Sequence, residues 1–390
     1  MLAAVGAINS INVNAGNAFE QLRNFHHQTK DWIFGILGYD LKNETEKLSS
    51  DNFDGLLFNE LHFFQPELVF ILNSSEFEIH YLRNQYKEED IYSLFKEINR
   101  FSGYSYLQKN GSIPIIQRIN KDCYIGKIKE LKKHILKGDI YEINFCQEYY
   151  NPDIIVYPTG IFQQLLNYSP APFSCIFRFK DKYLISASPE RYLLKKGNTI
   201  VSQPMKGTIR RSCYPEDDRL MIRRLKSDAK EISENIMIVD LVRNDLSKTA
   251  VDRSVKVEEL CGIYTYKTVH QMVSTIKSEL NNLSDGIDAI RNSFPMGSMT
   301  GAPKVRAMKL IEEFEETKRG VFSGAAGYFT PHGDFDFNVV IRSILYNETN
   351  RYLSFITGSA ITHKSDPYRE FEECQLKAAS LKKTLGIEFY

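Results

Sequence analysis

The residues best placed to do chemistry are one lysine, several glutamates, one arginine and two glycine-bearing turns. Lys206 lies in Pro204-Met205-Lys206-Gly207-Thr208. An amine attacks carbon only when uncharged, and enclosure beside Pro204 and Met205 would lower the lysine pKa by desolvation, which makes Lys206 a candidate nucleophile. An isolated lysine is otherwise a solvated surface group. Glu190, in Ser188-Pro189-Glu190-Arg191, is either a carboxylic acid with a raised pKa or the partner of Arg191. Arg342 follows Val339-Val340-Ile341. Strand alternation sets it opposite Val339 and Ile341 and on the face of Asp336 and Asn338, where its planar fork suits a ligand carboxylate or pairs with Asp336. Gly358, with the N–H groups of Ser359 and Ala360, offers further donors to an anion.

The run Met296-Gly297-Ser298-Met299-Thr300-Gly301-Ala302-Pro303-Lys304 has the glycines and lysine of a phosphate loop but not its order. Ala302 and Pro303 separate Gly301 from Lys304, and no hydroxyl for magnesium follows the lysine. It reads instead as a tight turn that aims Thr300, Gly301 and Lys304 into a cleft.

Three helices must position these groups. One, from about residue 217 to 245, places Ile232, Ile236 and Val239 on one side and Glu234 outside that stripe. A second runs from Pro303 to Glu316, with proline at its first position. The last starts at Asp366-Pro367 and stops at Gly386; it buries Phe371, Cys374, Ala378, Leu381 and Leu385, with Glu370, Glu373 and Lys377 on the flank. Strand patterns occupy 68–72, 173–179, 183–188 and 335–345. The mixture predicts an α+β protein with antiparallel sheets.

The chain has 390 residues, 43% of them apolar, and 49 basic residues balance 49 acidic ones. That is enough for a substantial core, and no overall field draws the chain to nucleic acid or an anionic membrane. Any anion must be captured locally. The six cysteines form no C-x-x-C pair, which argues against zinc and redox dithiols and suits a cytoplasmic protein. No stretch approaches the roughly 20 apolar residues of a membrane span.

Gly297 to Met308 resembles the GS-x-TGAPK-VRAM segment of the chorismate-utilising enzymes, and Pro204 to Thr208 resembles that family's P-I-x-G-T segment. Further segments follow in family order from about Cys123 to Gly386, roughly two thirds of the chain. The resemblance implies large antiparallel β-sheets packed as a sandwich with helices outside. It also implies an N-terminal α+β portion (1–120) packed on the same body as a chorismate-binding catalytic domain (121–390). Lysine at position 206 is usual in the branch that makes 4-amino-4-deoxychorismate for 4-aminobenzoate and folate, alanine in the branches that make anthranilate or isochorismate. The family then implies that Lys206 adds at ring C2 as the 4-hydroxyl leaves and that ammonia adds at C4. It assigns Glu190 acid–base work on the hydroxyl, Arg342 the enolpyruvyl carboxylate, and Glu234 and Glu373 the cofactor Mg2+, with Glu370 a third contact. Thr208, Thr300, Gly301, Lys304, Gly358, Ser359 and Ala360 complete the expected substrate site.

The pattern departs from the family in places. Gln271 stands where relatives have His, with His270 one step earlier; on a strand that offset turns His270 to the other face, so either Gln271 supplies the hydrogen bond or the role is lost. Gly358-Ser359-Ala360 replaces a glycine triplet, where any positive φ would be strained. Glu142 occupies a position that holds Gln in the aminating enzymes and Lys in the water-adding ones, and it is expected to orient ammonia as ammonium. The N-terminal part is short beside its relatives, which leads us to expect a preceding segment. No cysteine lies in a G-x-C-x-G elbow, so ammonia is expected from a separate glutamine amidotransferase subunit. Anthranilate synthesis, isochorismate synthesis and a catalytically silent scaffolding subunit stay open as alternatives.

Overall fold

The computed structural model describes residues 1–100 and 111–387, and every strand pairing in its three sheets is antiparallel. A ten-stranded sheet runs in the order Met205–Arg210, Val269–Glu279, Thr199–Gln203, Arg191–Lys196, Phe335–Val339, Ala325–Phe329, Ile33–Leu37, Leu61–Gln65 and Asn9–Val13, with Lys256–Thr265 also paired to Val269–Glu279. A seven-stranded sheet runs Gly301–Ala302, Glu142–Asn151, Tyr352–Thr362, Ser343–Asn347, Lys182–Ser188 and Phe173–Phe179, with Ile116–Gln117 on Glu142–Asn151. Leu2–Val5, Leu68–Leu72 and Phe77–Tyr81 form a small third sheet. Strands from either side of residue 120 share the ten-stranded sheet, joined at Ala325–Phe329 against Ile33–Leu37.

The two large sheets share one apolar core, in which Cys146, Leu184, Leu345 and Ile356 of one meet Ile36, Ile200, Ile276 and Phe337 of the other. Alternation explains how each strand serves two layers. Along Tyr352–Thr362, Ile356 points to that core while Leu353, Phe355 and Ile361 join helical residues such as Leu310, Cys374, Ala378 and Leu381 outside the sheet. This is the expected α+β sandwich with helices on its outer faces.

Two elements differ from their sequence patterns and one matches. The pattern over 217–245 folds as two helices, Pro215–Ser227 and Ala229–Ser247, because the Asp228 carboxylate accepts from the N–H groups of Lys230 and Glu231 and starts a new helix. Its buried residues are Glu234, Asn235, Ile238, Val239, Asp245 and Leu246, whereas Ile236 is exposed. The pattern over 335–345 is two strands in different sheets, joined by a crossover at 340–342. The last helix, Pro367–Thr384, has Asp366 as its N-cap and Gly386 in the left-handed region beyond it, as expected.

Candidate functional site

The Met205–Arg210 strand, the rim of the Glu142–Asn151 strand and the helices Ala229–Ser247 and Pro367–Thr384 bring a set of charged side chains together. Lys206 Nζ donates to Glu142 Oε1 at 2.9 Å, and Glu142 is 1% exposed with its other oxygen unpartnered. Burial favours the neutral form of Lys206, but Glu142, Glu234 and Glu190 outweigh it and hold the pKa above the ordinary lysine value. Desolvation was expected to leave this amine uncharged; the three carboxylates reverse that expectation. Glu142 accordingly grips the lysine, where the sequence suggested an ammonium site.

Glu190 does not pair with Arg191, whose guanidinium makes a two-pronged contact with Asp336 at 2.9 and 3.0 Å. It is buried and accepts from Ser298 Oγ at 2.7 Å. Desolvation pushes its pKa up to about 7, against the lowering effects of Ser298, Lys206, the Met205 N–H and Arg342. Such a carboxyl can hold a proton near neutrality and release it.

Arg342 sits in the crossover between the sheets with φ +50, so strand alternation does not govern it. Asp336 is taken by Arg191, and the Arg342 side chain makes no hydrogen bond or ion pair among the described residues. Desolvation lowers its pKa, offset by the charge of Glu190. A half-buried guanidinium without a partner is poised for an anion.

Glu234 and Glu370 face one another through Lys230, whose Nζ is 3.3 Å from Glu370 Oε1 and 3.8 Å from Glu234 Oε1. Glu234 Oε1 and Glu370 Oε2 are buried without hydrogen-bond partners, and desolvation raises the Glu234 pKa to about 7. Glu373, expected to be the principal partner of Glu234, turns instead to Lys377 at 2.8 Å, four residues along its helix, and Glu370 takes the inner position. Two buried carboxylates with unpartnered oxygens fit a hard divalent cation that also takes water and ligand oxygens. No group of three or more His, Cys, Asp or Glu among the described residues is arranged to hold an ion by itself.

The turn at 297–304 does not aim its side chains as expected. Thr300 is fully buried, and its hydroxyl donates to the carbonyls of Met296 and Gly297. Gly301 pairs with Ile143, and a Cβ there would lie 2.2 Å from the Glu142 carbonyl oxygen. Lys304 is drawn away to Asp245 Oδ2 and the Ser293 carbonyl, both at 2.8 Å, because a buried ammonium needs a counter-charge. Only Ser298 reaches a predicted site group, Glu190.

Of the remaining candidates, His270 is buried between Asp218 and Thr265, each at 2.9 Å, and is structural. Gln271 is buried with its amide oxygen unpartnered, and Thr208, exposed, lies across from it. Ser359 points toward the outer helices with Phe355 and Ile361, away from the core face. The N–H groups of Cys146 and Asn144 go to Glu315 Oε1 and the Thr300 carbonyl. By antiparallel alternation the facing Gly358 and Ala360 therefore turn their N–H groups to the open edge of the Tyr352–Thr362 strand, and Ser359 gives its own to the neighbouring strand. Neither Ser359 nor Ala360 has a positive φ, so the altered triplet is unstrained.

Three supports escaped the sequence reading. Lys230 precedes Glu234 by one helical turn, a spacing that marks an ion pair. Asn144 Nδ2 holds the Ser298 carbonyl at 3.0 Å. Arg319, paired one turn away with Glu315 at 2.5 Å, also donates to the carbonyls of Met299 and Asn144.

Over residues 7–383 the chain matches the family described as chorismate binding enzyme. It is 38% identical to an aminodeoxychorismate synthase of Streptomyces griseus over 280 residues, 71% of this chain and 38% of that protein. It is 30% identical to anthranilate synthase component 1 of Acetivibrio thermocellus over 369 residues, 90% of this chain and 74% of the other. The chain spans 38%, 28% and 30% of the length of the aminodeoxychorismate synthases it matches from Streptomyces griseus, Arabidopsis thaliana and rice. Anthranilate synthase component I from Streptococcus pneumoniae has the same fold, with a TM-score of 0.85 at 24% identity over 98% of this chain and 92% of that one.

Proposed function

The chain belongs to the chorismate-binding enzymes, and from that premise we propose that it converts chorismate and ammonia to 4-amino-4-deoxychorismate. The observation that carries this reading is a largely enclosed lysine amine, Lys206, in one cluster with Glu190, Glu142 and Glu234. Arg342, unpaired and half-buried, would take one chorismate carboxylate, with the N–H groups of Gly358 and Ala360 as further donors. Lys206 would add to ring C2 as the electron pairs of the diene shift and the C4–O bond breaks. Glu190, protonated near neutrality, would give its proton to the departing hydroxyl, which leaves as water. Ammonia then adds at C4, the pairs shift back, and the C2–N bond to Lys206 breaks. A magnesium ion held by Glu234 and Glu370, with Glu373 one turn further on, would supply positive charge to the ring carboxylate. Ammonia would come from a separate glutamine amidotransferase.

The test is purified protein with chorismate, Mg2+ and an ammonium salt, with products resolved by chromatography. The expected product is 4-amino-4-deoxychorismate, and Lys206→Ala should lower its formation at least about 100-fold. Anthranilate or isochorismate from the wild type would assign the chain to another branch, and no turnover would favour a silent subunit.

A further inference from the structure

We infer that Glu142 is a catalytic base dedicated to Lys206, taking the ammonium proton before attack and returning it when the amine is released. The inference rests on the amination reading above. Among the described residues Glu142 is the single carboxylate within ion-pair distance of Lys206, at 2.9 Å. Glu190 has one oxygen committed to Ser298 and also accepts the Met205 N–H. Glu234 and Glu231 on the Ala229–Ser247 helix and Glu373 on the Pro367–Thr384 helix influence the pair only through longer-range charge. Glu142 is also held still. Its strand pairs with Gly301–Ala302, and the missing Cβ of Gly301 lets that pairing close onto the Glu142 carbonyl.

The proton count closes around this pair. The Lys206 ammonium gives a proton to the Glu142 carboxylate, leaving a neutral amine and a carboxylic acid. The amine lone pair forms the C2–N bond while Glu190 protonates the leaving hydroxyl. Ammonium delivers its proton to Glu190 and its nitrogen to C4. The C2–N pair then returns to Lys206, which recovers its proton from Glu142. Net, chorismate and ammonium give protonated aminodeoxychorismate and water. Substrate filling the cleft would displace water and strengthen desolvation, the influence that favours the neutral amine over the ammonium.

Glu142→Gln keeps the shape and an acceptor oxygen but cannot take a proton. The experiment is single-turnover formation of the Lys206 adduct, chorismate less water, followed by protein mass spectrometry without ammonia, from pH 6 to 9, with melting temperature as a folding control. In the wild type the reactive pair carries one proton whether ionic or neutral, so the acid limb should be flat. In Glu142→Gln the amine must lose its proton to bulk solvent. Adduct formation should then be about 10- to 100-fold slower at pH 7 and fall about tenfold per pH unit on the acid side. Glu142→Asp should be slower than wild type yet keep the flat limb. A Glu142→Gln rate within about twofold of wild type, an acid limb parallel to it, or an aspartate variant that behaves like glutamine overturns the assignment. A wild type that forms neither adduct nor aminodeoxychorismate defeats the amination reading and this inference with it; normal wild-type turnover with parallel limbs defeats this inference alone.

Discussion

At the scale of single residues, the types of the reactive groups could be read from the sequence but their charge states could not. Lys206 shows why: its neighbours Met205 and Pro204 suggest desolvation, while the carboxylates that dominate it arrive from residues 142, 190 and 234. Glu190 was legible as an acid, yet the hydroxyl that tunes it, Ser298, lies in a distant turn. Replacing Ser298 by Ala removes a hydrogen bond that favours the ionised carboxylate, so the Glu190 pKa should rise above about 7. The basic limb of the kcat/KM profile should then move to higher pH, because the general acid stays protonated longer; an unmoved limb would separate Ser298 from Glu190 function. A second pH effect concerns folding. Burial raises Glu190 and Glu234 from the ordinary 4.5 to about 7, so between those values the native chain binds more protons than the unfolded one. Stability contributed by their protonated forms is full below about 4.5 and is lost as pH rises through about 7, at roughly 1.4 kcal/mol per pH unit for each group. Glu234→Gln should flatten its share of the slope of melting temperature against pH, measured without added divalent cation.

At the scale of elements, starts and stops were legible where a local signal sets them. Asp366-Pro367 and Gly386 bound the last helix because capping and left-handed backbone are local chemistry. The Phe335–Val339 and Ser343–Asn347 strands were read as one because their alternation continues through a crossover whose bend depends on which sheet each half joins. The apolar stripe of the Ala229–Ser247 helix misled for a similar reason. One side of that helix borders the charged cleft, so Glu234 is buried there while Ile236 faces out. Lys230 on the same helix is the present counter-charge for Glu234 and Glu370. Lys230→Gln should lower the melting temperature of the cation-free protein and enlarge the upward shift on adding Mg2+, since the ion then meets two carboxylates with no competing ammonium. Equal shifts in the two proteins would mean that the ion binds elsewhere. Gly301 is an element-level constraint as well. Gly301→Ala would drive a methyl group onto the Glu142 carbonyl and force the two strands apart, at about 2–4 kcal/mol, with weaker chorismate binding by calorimetry.

At the scale of the whole molecule, the sandwich architecture followed from the family resemblance, while the ties between its sheets depend on pairs far apart in sequence. Arg319 is one such tie. It donates to the Met299 and Asn144 carbonyls and to Ser323 Oγ, and its partner Glu315 accepts the Cys146 N–H. Ser323 N–H in turn bonds the Val340 carbonyl, at the crossover that carries Arg342. One buried guanidinium therefore fixes the turn bearing Ser298, the strand bearing Glu142 and the crossover. Arg319→Met should cost about 3–5 kcal/mol by leaving Glu315 charged and alone, and adding Glu315→Leu should recover much of it in denaturant titrations. The sheet edge beside this crossover has its own consequence. The Ser343–Asn347 strand stays with its neighbour only as far as Ser354, so the backbone amides of Gly358 and Ala360 lack the protection that a ladder gives. In deuterium oxide these two amides should exchange ahead of the Ser359 amide between them, and an anionic occupant of the cleft should slow them selectively. Occupancy of the cleft would thus be legible in the isotope content of one short peptide, without any turnover.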